Sequence, residues 1–169
     1  TFPKKLNKIF FVCTGSEAND LALRIAKNYT KAKNVLVMNN AYHGHTNSLI
    51  DLSPYKFNSK GGEGKKDYVH VLRMPDEIRG KWTNKNYKWV NKYIDEAEDV
   101  ISKTFNKKNS LSSFFFESIL GCGGQIELPK GYLKNIFKLV RKKNALCIAD
   151  EVQTGFGRVG SNFWAFQEH

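Results

Sequence analysis

Ala145-Leu146-Cys147-Ile148-Ala149-Asp150-Glu151-Val152-Gln153-Thr154-Gly155-Phe156-Gly157-Arg158-Val159-Gly160 is the stretch that decides the fold class of this chain. Its opening four residues form an unbroken apolar run, the pattern of a strand buried on both faces of a parallel sheet. Two carboxylates follow where the strand ends, and then a glycine-rich loop carrying an amide and an arginine. In open α/β sheets that edge is where ligands bind. An acid held there has to face a cation. On these residues alone, a protonated ring nitrogen and a metal ion serve equally well.

The same design recurs upstream. Phe114-Phe115-Phe116-Glu117 is a second apolar run ending in an acid, followed by Gly121-Cys122-Gly123-Gly124. Ile9-Phe10-Phe11-Val12-Cys13, Val35-Leu36-Val37-Met38 and Tyr68-Val69-His70-Val71-Leu72 read as further strands. Helices are expected between them. Ala18, Leu21, Ala22, Ile25 and Ala26 make one apolar stripe after the turn Thr14-Gly15-Ser16, and Val90, Tyr93, Ile94, Ala97 and Ile101 make another. Leu133, Ile136, Phe137 and Val140 make a third, ending in Arg141-Lys142-Lys143, which suits the negative end of a helix dipole. Lys60 to Lys66 reads as a mobile surface loop, and Pro75 to Asn86 as irregular. Strands alternating with helices predict an α/β fold, a mostly parallel sheet flanked by helices, in one domain.

Composition narrows the function. A chain of 169 residues, 41% hydrophobic and 13% aromatic, can bury a core, and no apolar run approaches the roughly 20 residues that span a bilayer. No membrane partner is expected. The net charge of +11 comes from 22 lysines against five arginines, scattered and mixed with asparagine. Nucleic-acid readers gather arginine on one face or interleave it with aromatics, so the basicity is read as compositional bias plus an anionic substrate, not as nucleic-acid binding. Cys13, Cys122 and Cys147 fit neither a disulfide framework nor a zinc spacing. Cys13 and Cys147 are expected to be small core residues in a reducing compartment, mitochondrial or cytoplasmic. The chain opens on Thr1 and is read as cut from something longer, so the absence of a leader leaves the organelle open.

Several constellations carry two readings each. Thr14-Gly15-Ser16-Glu17-Ala18-Asn19 joins a strand to a helix, where backbone N–H groups bind anions and glycine lets a phosphate come close. Equally, Thr14 or Ser16 is an ordinary helix cap. Tyr42 in Tyr42-His43-Gly44-His45 is either a stacking platform for a planar ligand or a structural tyrosine, and the histidines lack carboxylates at metal-ligand spacing. Gly155-Phe156-Gly157-Arg158-Val159-Gly160 matches G-x-G-x-x-G letter for letter. The dinucleotide fingerprint joins a strand directly to a helix, however, and here polar residues intervene and no helical stripe follows. Asp150-Glu151 imitates a Walker acid, but the chain has no G-x-x-x-x-G-K-[ST].

Three strand-end sites call for one ligand with a phosphate, a flat ring and a basic ring nitrogen, and pyridoxal 5'-phosphate has all three. From Phe10 to His169 the chain resembles fold-type I pyridoxal-phosphate enzymes of the class III aminotransferase family. The signatures are Gly15-Ser16-Glu17-Ala18-Asn19, Ala41-Tyr42-His43-Gly44 and Ala149 to Arg158. Finer matches at His43-Gly44-His45, Ser48-Leu49-Ile50, Ser53-Pro54-Tyr55-Lys56-Phe57, Arg79-Gly80-Lys81 and Cys122-Gly123-Gly124-Gln125 resemble one branch. That branch is the ethanolamine-phosphate and phosphohydroxylysine phospho-lyases, long named alanine–glyoxylate aminotransferase 2-like.

The resemblance implies a role for each matched residue. Gly15 and Ser16 hold the cofactor phosphate. Tyr42, within the His43-Gly44 motif, stacks on the ring, and Val152 packs on its other face. Asp150 pairs with the ring nitrogen, Gln153 bonds near the phenolic oxygen, and Glu117 orients that network. The implied reaction is an imine with a small phosphorylated amine or amino acid, loss of a Cα proton, and β-elimination of phosphate, in a homo-oligomer. An alanine–glyoxylate type transaminase is the alternative, and a non-catalytic fragment a third reading. The family's Schiff-base lysine and C-terminal domain are expected beyond residue 169, making residues 1–169 part of the large cofactor-binding domain.

Overall fold

The computed structural model describes residues 2–169. Helix α1, Gly15–Thr30, opens the ordered secondary structure and leads into strand β1, Asn34–Met38. Two short helices, α2 (Asn47–Asp51) and α3 (Pro54–Phe57), precede β2 (Val69–Leu72), and the long helix α4 (Trp89–Thr104) precedes β3 (Leu111–Glu117). A small antiparallel pair, β4 (Ile119–Leu120) and β5 (Ile126–Glu127), leads to α5 (Tyr132–Lys142), β6 (Leu146–Asp150) and a 3-10 turn at Ala165–Glu168. The main sheet has the order β2-β1-β3-β6, and every neighbouring pair is parallel.

Alternation along the strands separates two cores. Leu36, Met38, Phe114 and Phe116 point to one face, against Tyr93, Ala97 and Ile101 of α4 and Leu133, Ile136 and Val140 of α5. Val35, Val37 and Phe115 point to the other, against Leu23 of α1 and Leu49, Leu52 and Phe57 near the short helices. A sheet covered on both faces is what β3 requires, since all seven of its residues are buried.

The strand order creates a switch point. From β1 the chain moves to β2 on one side, then crosses to β3 on the other side of β1 and continues outward to β6. The connections diverge at β1 and β3, so a crevice opens beyond their C-terminal ends, the position at which α/β sheets bind ligands. Tyr42 follows β1, Glu117 ends β3 and Asp150 ends β6.

Three expectations need correction. Residues 9–13 form no strand: they pair with no neighbour among the described residues, and Phe11 is 94% exposed. An apolar run supplies strand propensity but not a ladder partner, and Cys13 is correspondingly exposed rather than a core residue. The buried face of α1 is also rotated from the predicted stripe. Ser16, Asn19, Leu23 and Ala26 are buried, while Ala18 and Ile25 are exposed. Counting only apolar positions passes over a face that is polar at its first turn and apolar afterwards. Finally, β6 is only half-buried along most of its length, because it lies at the edge of the sheet. Cys147 within it is half-buried, and burial pushes its thiol up to about 11.

Irregular chain from Pro75 to Asn86 is organised by one side chain. Asp76 accepts from the backbone N–H groups of Ile78 (2.9 Å) and Arg79 (3.0 Å) and from Arg79 Nε (3.0 Å). Hydrogen bonding from the Arg79 N–H, with smaller help from Ile78 and the guanidinium, holds its carboxyl below the usual range. Stability from such a group is complete above its unfolded pKa and disappears as pH falls through the lower folded value. Asp76→Ala is therefore expected to lower stability by about 1 kcal/mol at neutral pH, the exposed Arg79 pair adding little. Thermal denaturation of variant and parent from neutral pH down to about pH 3 should show the gap closing.

Candidate active site

The first turn of α1 divides its hydroxyls between two jobs. Thr14 is the helix cap, its Oγ1 accepting from Glu17 N at 3.1 Å. Ser16 is thereby left free of capping and turns inward. Its Oγ accepts from His45 N at 3.2 Å and lies 2.9 Å from His45 Nδ1. One turn on, Asn19 is buried, and its Nδ2 donates to His43 O (2.9 Å) and to Asp150 Oδ2 (2.8 Å). The helix N-terminus thus presents N–H groups, a hydroxyl and the positive end of a dipole to one spot.

Asp150 gathers this site together. Its Oδ2 also meets His43 Nδ1 at 2.9 Å, with both side chains almost wholly buried, and its Oδ1 accepts from Val152 N at 3.2 Å. Helix α1, the loop after β1 and the loop after β6 therefore converge on one carboxylate. His43 is fixed from behind as well, its N–H donating to Ser53 Oγ at 2.9 Å. Its Nε2 is buried with no hydrogen-bond partner among the described residues.

Glu117 spans the switch point. Oε1 accepts from Tyr42 N (3.1 Å) and Oε2 from Gly121 N (3.1 Å), so one carboxylate fastens the loop after β1 to the turn after β4. Burial raises its pKa. The His43 imidazole and the two N–H donors oppose that rise, and the Asp150 charge adds to it.

These groups line one cavity of about 170 Å³. All eight residues singled out from the sequence (Gly15, Ser16, Tyr42, His43, Glu117, Asp150, Val152 and Gln153) are on its wall. Thr14, Asn19, Gly44, Ile119 and Thr154 are there too and went unassigned. Asn19 had a legible signal: it stands three residues after Ser16, on the same helical face. Two glycines keep the space open. A Cβ on Gly15 would come within 2.6 Å of Val152 Cγ2, and one on Gly44 within 2.8 Å of Ser16 Oγ, at a φ of +138° that L side chains rarely adopt.

Adjacent carboxylates have separate tasks. Asp150 turns into the cavity, whereas Glu151 turns away and accepts from Thr154 Oγ1 (3.0 Å), Ala165 N (2.9 Å) and Phe166 N (2.7 Å). The G-x-G-x-x-G stretch continues as turns, with Arg158 Nη1 donating to Gly155 O at 2.8 Å and no helix following. Among the described residues no three His, Cys, Asp or Glu side chains stand at metal-ligand spacing, and no helix is long and apolar enough to cross a membrane.

Similarity to known proteins agrees with this geometry. The family model Aminotransferase class-III matches residues 1–169. An alanine–glyoxylate aminotransferase 2-like protein of Drosophila melanogaster is 49% identical over 98% of this chain and 34% of its own length. Ethanolamine-phosphate phospho-lyase homolog 1 of Caenorhabditis elegans is 41% identical over 96% of this chain and 37% of its own. The chain thus spans about a third of the length of the curated relatives it matches. Among solved structures, a phospholyase from Arthrobacter in complex with phosphoethanolamine superposes with a TM-score of 0.85 at 33% identity, covering 98% of this chain and 38% of that one. A taurine:2-oxoglutarate aminotransferase from Bifidobacterium kashiwanohense, in complex with PLP and glutamate, superposes with a TM-score of 0.81 at 25% identity, over 94% and 35%.

The three acceptor bonds of Glu151 give a local prediction. Glu151→Ala leaves two backbone N–H groups and the Thr154 hydroxyl without their acceptor, a cost of order 1–3 kcal/mol. Amide exchange should accelerate at Ala165 and Phe166, while Val152 N–H, held by Asp150, keeps its protection.

Proposed function

From the chain's membership of the class III aminotransferase family, we infer that the full-length protein is a pyridoxal-phosphate-dependent phospho-lyase, eliminating phosphate and ammonia from phosphoethanolamine or phosphohydroxylysine. The carrying observation is the cavity: a helix N-terminus with Ser16 at one side, an aromatic platform at Tyr42, and the buried acid Asp150 held by two donors. Likeness to a phospholyase complexed with phosphoethanolamine, over 98% of the chain, favours the lyase chemistry. The aminotransferase 2-like relative and the aminotransferase neighbour favour the second reading, a transaminase on the same scaffold.

The residues fit the cofactor. Gly15 and Ser16 offer a phosphate site at the start of α1, and the absence of a side chain at Gly15 lets Val152 pack close against that turn. Tyr42 and Val152 supply faces for a flat ring, and Gln153 an amide for a ring oxygen. Bound in this cavity, pyridoxal phosphate supplies an electron sink for the carbon bearing the substrate's amine. Asp150 keeps the proton on the ring nitrogen, and Asn19 and His43 orient the Asp150 carboxylate for that contact. Glu117 holds the Tyr42 backbone in register with the turn at Gly121. In this reading residues 1–169 belong to the large cofactor-binding domain of a homo-oligomer.

The purified full-length protein, given phosphoethanolamine and phosphohydroxylysine in turn, is expected to release inorganic phosphate. Robust amino transfer to glyoxylate without phosphate release would instead establish the transaminase. Within either chemistry, Asp150→Asn removes the charge that holds the ring proton. Each pKa unit of that stabilisation corresponds to about 1.4 kcal/mol, so several units imply a fall in kcat of roughly 10³-fold or more. Glu151→Gln, facing away from the cavity, should cost far less, and comparable losses from the two would overturn the assignment.

A further inference from the structure

Among the described residues the cavity wall holds two carboxylates and no lysine or arginine. An anionic substrate approaching it therefore needs a cation at the mouth, and the structure offers one. Lys56 Nζ lies 5.7 Å from the centroid of the Tyr42 ring, itself part of the wall, and 5.6 Å from that of Tyr55.

Its placement is built in. Helix α3 is only four residues long, yet it is tied to the end of β1 twice. Tyr55 N donates to Ala41 O at 3.1 Å, and His43 N donates to Ser53 Oγ at 2.9 Å. The Tyr42 and Tyr55 rings meet edge to face. Lys56, on the wall of the adjoining groove, is thus held close to the Tyr42 ring by the ties that join α3 to the loop carrying Tyr42.

Nor is the ammonium consumed by a neighbour. Among the described residues it makes no ion pair. The acids along the adjoining groove are engaged elsewhere: Glu63 pairs with Lys66 at 2.8 Å, and Asp51 accepts from Tyr68 Oη at 2.8 Å. An exposed ammonium beside two aromatic faces is a compact, hydrated charge suited to a phosphate monoester.

We propose that Lys56 is the substrate-selecting cation of this site, binding the phosphate of the substrate at the cavity mouth while its amine enters toward Tyr42 and Asp150. The proposal rests on the function inferred above. It requires no change of covalent chemistry, because Lys56 acts on binding alone.

Lys56→Met and Lys56→Arg in the full-length holoenzyme test it. Lys56→Met should raise KM for phosphoethanolamine and the inhibition constant of inorganic phosphate by about tenfold or more, with most of the loss in KM rather than kcat. Lys56→Arg should recover most of both. The visible absorbance and circular dichroism of the bound cofactor should match the parent in both variants, since Tyr42 keeps its backbone anchors. Unchanged KM and phosphate inhibition in Lys56→Met would overturn the proposal. So would an altered cofactor spectrum with equal losses on phosphorylated and unphosphorylated amines, which would make Lys56 a prop for Tyr42. A parent enzyme that transfers amino groups without releasing phosphate overturns the lyase reading instead. Phosphate inhibition of that transfer, parent against Lys56→Met, then decides the role of Lys56 separately.

Discussion

A single buried carboxylate organises the site. Asp150 accepts from Asn19, meets His43 Nδ1 and receives the Val152 N–H, so α1, the loop after β1 and the loop after β6 close on two oxygen atoms. An ionised acid taken out of water needs such partners, because its desolvation otherwise costs several kcal/mol. Sequence, packing and chemistry meet in that requirement. The first turn of α1 must be polar on its buried side, the loop after β1 must deliver a ring nitrogen, and β6 must end where it does. What remains open is the side of Asp150 that faces the cavity.

Glu117 is used differently. Its oxygens are spent on backbone N–H groups on either side of the switch point, and burial raises its pKa rather than preparing it for a cation. The cavity therefore contains one acid held by side chains and facing the open space, and one acid serving as a brace. Glu151 makes a third variation, with all its acceptors turned toward the closing 3-10 turn. Three carboxylates at strand ends have three physical roles, and their partners distinguish them where their positions in the chain do not.

Most of the architecture could be read from residue pattern because most of its elements are buried on a face with a fixed period. Strands β1, β2 and β3 and helices α4 and α5 lie where apolar runs and stripes put them, β3 beginning three residues earlier than its run. The site was legible for a related reason: parallel strands leave their C-terminal ends pointing at one crevice, so a motif after each strand must share it. Residues 9–13 failed because pairing is a property of two segments, and propensity describes only one. Asn19 was missed because a buried amide on a helix looks, by hydropathy, like a surface residue. Helices α2 and α3, five and four residues long, fall below the length at which periodicity carries information. They matter here because they carry Ser53 and Lys56.

The bond between Asn19 and Asp150 joins residues 131 positions apart. On the ribosome, α1 emerges early, and Ser16 and Asn19 can meet His45 and His43 once the loop after β1 is made, but the Asp150 carboxylate arrives only with β6. Parallel sheets assemble slowly for this reason, since distant segments must meet before their contacts reward the closure. During that interval Asn19 has His43 O as an acceptor but lacks its second one. Synthesis order thus makes the cavity wall at Asp150, Val152 and Gln153 later than the wall at Ser16, Tyr42 and His43. A nascent chain halted before residue 150 would carry α1 and most of the core, but a cavity wall open on one side.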